Sequence, residues 1–221
     1  MQISVFLLVF LFNFGLVSAF DPDTRIVSVI DAIMHAPKHV STREGRLVDL
    51  STAVNQAVLD SALDRLEGFE AKEAYLREKI SSSWPMLKLE KQRLIFLRQF
   101  LPTRETIREY QSFDWFRRDT LGSTEIMPAV DRLLGNPRLR TSTRLDKLNY
   151  LAAMIHRSEL KCRLDYSDPD QKPHKVVREE LRGEIVANWA EEIDESKREE
   201  ILSGFGESFS SSRSRKRRSS E

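Results

Sequence analysis

Apolar residues in this chain return every three or four positions, segment after segment, and most segments end on proline or glycine. That spacing gathers side chains on one face of an α-helix. A half-buried strand would need strict alternation, and no stretch shows it convincingly. Ile26, Val29, Ile30 and Ile33 form the first seam, ended by Pro37. Ser41-Thr42-Arg43-Glu44 then fits a capping box, in which the Ser oxygen and the Glu carboxylate satisfy free N–H groups. Leu47, Leu50, Val54, Val58 and Leu66 follow at helical spacing, with Gly68 as terminator. Phe69, Leu76 and Ile80 define a short third helix, after which Trp84-Pro85 restarts the chain, because proline suits only a first turn.

The next segment, residues 86–101, carries Leu87, Leu94, Leu97 and Leu101 along one seam, widened by Ile95, Phe96 and Phe100. Such a helix should be buried on most sides. Pro102 stops it and Thr103 caps a helix holding Ile107, Tyr110 and the cluster Phe113-Asp114-Trp115-Phe116. A shorter helix around Ile126, Val130, Leu133 and Leu134 closes on Gly135-Asn136-Pro137. Thr143-Arg144-Leu145-Asp146 opens another, with Leu145, Leu148, Ala152 and Ile155 on one face. Residues 165–174 read as a polar loop. Val177, Leu181, Ile185, Trp189 and Ile193 mark a further helix, and Ser196 with Glu199 repeats the capping box before a last short turn. The expectation is an all-α fold: one domain over residues 20–207, an irregular bundle of about six to eight helices without internal repeats.

Residues 1–19 contain no charged side chain and run almost purely apolar from Ile3 to Val17 before closing on Val17-Ser18-Ala19. This is the pattern of a cleaved secretory signal, although its positive start comes from the α-amino group alone. The apolar core falls short of the roughly 20 residues that a spanning helix needs. The reading is a secreted, extracellular protein with no stable membrane span. Cys162 is the only cysteine, which excludes a disulfide-stapled miniprotein, a zinc finger or an iron–sulfur site. Either it packs as a small apolar residue on its helix, or it joins two copies into a disulfide-linked dimer.

Chemistry-bearing patterns are scarce. There is no Gly-x-Ser-x-Gly elbow, no papain-type cysteine context, no His-Glu-x-x-His and no glycine-rich phosphate loop. His35 and His39 flank Pro37 and read as a solvated helix exit. His156 and Glu159 lie one turn apart and read as an exposed polar pair. Asp165, Asp168 and Asp170 surround Pro169 and read as a connector. No catalytic, cofactor-binding or metal residue is assigned, no cofactor is expected, and the protein is read as non-enzymatic. Trp115 and Phe116, beside Arg117-Arg118, are either core or a contact for a partner.

The last segment, residues 208–221, differs in kind. Phe209 is its only large apolar residue, and a Ser/Arg-rich basic run follows, so it is expected to be a disordered tail. Arg213, Arg215, Lys216, Arg217 and Arg218 against Glu221 give it +4, which leaves about −3 elsewhere in a chain of net +1. That run fits a polyanion contact, a processing site for a furin-like protease, a nuclear-import signal in a recipient cell, or a merely solubilising tail. The leading expectation is a secreted helical binding protein whose tail meets a protein or polyanion partner. The alternative is a carrier that encloses an apolar ligand of fatty-acid type, with the stretch from Leu94 to Phe100 lining the cavity. In length and class the chain resembles the small helical lipid carriers and effectors that nematodes and other parasites export. No residues match, so no site is carried over.

Overall fold

The computed structural model describes residues 23–36, 40–87, 126–165 and 174–205. Among these residues every regular element is a helix, as the sequence pattern requires. They are α1 (Thr24–His35), α2 (Val40–Asp64), α3 (Phe69–Ser83), α4 (Met127–Leu134), α5 (Thr141–Asp165) and α6 (His174–Glu191), with α7 over residues 195–205. A 3-10 turn, Trp84–Met86, extends α3. The leader, the wide apolar stretch 88–101, the Trp115–Phe116 cluster and the basic tail lie outside the described residues.

Two apolar clusters hold the bundle together. One joins Leu63 of α2, Leu76 and Ile80 of α3, Trp84, Leu87, Ile126, Val130 and Leu134 to Leu148, Leu151, Ala152 and Ile155 of α5. The other joins Ile26, Ile30 and Ile33 of α1 and Leu47, Leu50 and Val54 of α2 to Leu160 and Leu164 of α5. Val177, Leu181, Ile185 and Trp189 of α6, with Ile193 and Ile201, complete it. Among the described residues, only α2 and α5 contribute to both. Each has 25 residues, about 37 Å at 1.5 Å per residue, which is long enough to run past two successive cores. On α5 the change falls between Ile155 and Leu160, and the intervening residues are polar.

The high charge content is used between helices. Arg25 on α1 pairs with Glu195 and Glu199 on α7, and Asp31 on α1 with Arg182 on α6. Glu44 on α2 meets Arg178 on α6 at 2.5 Å, and Asp49 meets Arg157 on α5 at 2.8 Å. Arg77 on α3 reaches Asp131 on α4, and Arg163 on α5 reaches Glu184 on α6. Each pair is partly exposed and worth little alone. Together they tie every helix to a neighbour in one register.

The helix ends supply two corrections. α7 is a full helix of residues 195–205 rather than a short turn, and Ser196 is not its cap. Asp194 caps it instead: its carboxylate accepts from the Lys197 N–H at 2.9 Å and from the Ser196 hydroxyl at 2.8 Å. Arg198 then donates to the Trp189 and Ala190 carbonyls, closing the open end of α6. α2 begins at Val40, one residue ahead of the serine expected to cap it.

Gly68 joins α2 to α3 as the N-cap of α3, with φ 82° and ψ 156°. That backbone region is essentially reserved for glycine. A Cβ there would meet no atom within 4 Å, so its cost is purely conformational. Gly68→Ala should therefore lower the unfolding free energy by about 1–3 kcal/mol. The check is a shifted denaturation midpoint with an unchanged m-value.

Candidate functional site

The polar step on α5 opens into a cleft of about 210 Å³ between α2, α3 and α5. Asn55, Tyr75, Lys79, Ser82, Ser83 and His156 supply its polar lining. Tyr75, Lys79 and Ser83 follow one another at intervals of four on α3, so they share one face of that helix. His156 comes from α5 and Asn55 from α2.

His156 was expected beside Glu159 on an exposed surface. It is instead partly buried in the notch where α5 passes from one core to the other. Its Nε2 lies 2.8 Å from Asn55 Nδ2. The same amide nitrogen donates to the Ser51 carbonyl at 3.0 Å. A carbonyl only accepts, so the NH2 group must face both partners, and the His156 Nε2 must accept. The proton of the neutral ring is thereby placed on Nδ1. Burial is the main influence lowering the His156 pKa, to about 4, with the Arg163 charge also lowering it and Glu184 opposing. An imidazole whose basic nitrogen is occupied by an amide is an oriented donor and is poorly placed to abstract a proton. Glu159, one turn on, is partly buried, and desolvation raises its pKa against the opposing charge of Arg163.

The remaining donors of the cleft divide into spent and unspent. Gln56, also on its wall, donates to Asp60 at 3.2 Å, and the Ser82 hydroxyl donates to the Lys79 carbonyl at 2.9 Å. The Lys79 ammonium stands 5.5 Å from the centre of the Tyr75 ring, a cation–π distance. Asp60 also accepts from Asn149 on α5 at 2.8 Å and faces Lys197 on α7 at 3.8 Å. It anchors the far wall of α2, beyond the cleft.

The residues singled out in the sequence fall elsewhere. Trp115, Phe116, Arg213, Arg215, Lys216, Arg217 and Arg218 lie outside the described residues, as does the stretch from Leu94 to Phe100 offered as a cavity wall. Cys162 is half-buried against the first core cluster. His35 ends α1, with its Nδ1 2.8 Å from the Asp31 carbonyl. Among the described residues no group of three His, Cys, Asp or Glu side chains could hold a metal ion. None of the described helices is long and apolar enough to cross a membrane.

The chain matches no protein-family model, no curated protein and no solved structure.

Proposed function

We propose that this is a secreted, non-enzymatic helical binding protein that docks a polyanion through Arg213, Arg215, Lys216, Arg217 and Arg218. The observation that carries this reading is how the body uses seven of its own arginines. Arg25, Arg77, Arg157, Arg163, Arg178, Arg182 and Arg198 each lie within ion-pair distance of a carboxylate on the body. A polyanion is bound by cations whose displaceable partners are small ions, because releasing those ions drives the association. Arginines already bridging helices are poor candidates for that role. The tail concentrates five basic residues against one acid.

The test is retention of the full chain on immobilised heparin. Strong retention is expected at about 50 mM salt, collapsing toward 200 mM, as counterion release requires. Deleting residues 213–218 should abolish it. Retention unchanged by the deletion, or indifferent to salt, would overturn the reading. So would tight uptake of a fluorescent fatty acid that survives the deletion, since that is the behaviour of an apolar-ligand carrier. The compartment is checked separately: protein recovered from the medium of its native source should begin at Phe20, and an intact Met1 would refute export.

A further inference from the structure

We infer that the cleft between α2, α3 and α5 is a binding site for a small anion bearing a carboxylate or phosphate group. Four donors there make no hydrogen bond to the protein among the described residues: His156 Nδ1–H, Lys79 Nζ, and the hydroxyls of Tyr75 and Ser83. Three of them stand on one face of α3, at residues 75, 79 and 83, and the fourth stands across the cleft on α5. The competing donors are already committed, Asn55 to Ser51 and His156, Gln56 to Asp60, and Ser82 to the backbone. What remains open is a set of donors with one formal charge, and among the described residues no carboxylate lines the cleft.

The absence of an acid among the described residues of the lining is the second observation. The chain carries 34 Asp and Glu residues, and Arg77 and Arg163, on the same two helices as Lys79 and His156, are each met by one. Lys79 is met by an aromatic ring instead. Cation–π contact holds an ammonium in place without neutralising it, so its charge stays available to an incoming anion. His156 adds a neutral donor whose direction is fixed by Asn55, so it costs nothing to orient when the ligand arrives. A space of about 210 Å³ lies below the usual range for drug-sized ligands, which limits the occupant to a small molecule.

This site is independent of the basic tail, and the experiment keeps the two apart by using the chain lacking residues 213–218. With 15N-labelled histidine, inorganic phosphate and acetate are titrated separately while the His156 ring resonances are followed. A saturable shift with at least one of them is expected. Response to phosphate alone assigns a phosphate-bearing ligand, response to acetate alone a carboxylate, and response to both a site selective only for charge. Lys79→Gln should weaken the response about tenfold or more, and Lys79→Arg should restore most of it, because a charge-assisted bond is lost and regained. No saturable shift with either anion at tens of millimolar would overturn the proposal. An undiminished response in a folded Lys79→Gln chain would overturn it equally.

Discussion

Trp189→Ala is expected to remove about 3–5 kcal/mol of unfolding free energy, the range for erasing a fully buried aromatic ring. The Trp189 ring is 0 % exposed and belongs to the cluster that gathers α1, α2, α5, α6 and α7. The guanidinium of Arg198 lies 5.8 Å from its ring centre while bonding the Trp189 carbonyl, so the truncation would also loosen the contact that seats α7. Against a typical total of about 5–15 kcal/mol, that loss should move the chemical denaturation midpoint far toward zero denaturant. Trp189→Phe supplies the control. The indole N–H is buried without a hydrogen-bond partner, and removing an unsatisfied donor returns part of what the smaller ring forfeits. The Phe variant should therefore lose less than half as much. A loss below about 1 kcal/mol for the Ala variant would show that the ring is not held in a closely packed site.

Stability should also fall as pH drops from about 6.5 to 4, and His156 should be the main cause. Its folded pKa is about 4, whereas the unfolded chain has an ordinary histidine near 6.5. Between those values the unfolded state takes a proton that the folded state refuses, so acid favours unfolding. Above 6.5 both states are neutral and the effect is absent. Across the window the loss amounts to about 2–3 kcal/mol. Glu159 works in the opposite sense near the lower end, because its raised pKa lets the folded state take up a proton first. Asp23 and Asp194 have lowered pKa values, so their contribution persists until the pH falls below the ordinary carboxylate range. The His156→Gln variant should flatten the curve between pH 6.5 and 4. A parallel curve for that variant would remove His156 from the explanation.

Much of the bundle was legible from local spacing. Val177, Leu181, Ile185 and Trp189 lie four apart, and all four are buried on α6 as that spacing implies. Gly135 ends α4 where the glycine-proline stop placed it. Ile201, Leu202 and Phe205 make too short a stripe to announce α7 as a helix, and its cap is an aspartate two residues before the serine of the capping-box pattern. The cleft was invisible for a different reason. His156 meets Asn55 across 101 residues of chain, and no local pattern encodes which face of α5 a distant helix will cover. Reading His156 against Glu159 followed the strongest local cue, and tertiary packing overrode it. One trace was present: Tyr75, Lys79 and Ser83 repeat every fourth residue, a polar stripe on a helix whose other stripe is core.

Two long helices, α2 and α5, are struts common to both interiors. Neither interior can therefore be cut away as a self-sufficient module, since the excised half would take with it one end of each strut and leave the other end bare. Heat or denaturant should encounter a single indivisible object, and a fragment from either side would lack the scaffolding on which its own oily residues close.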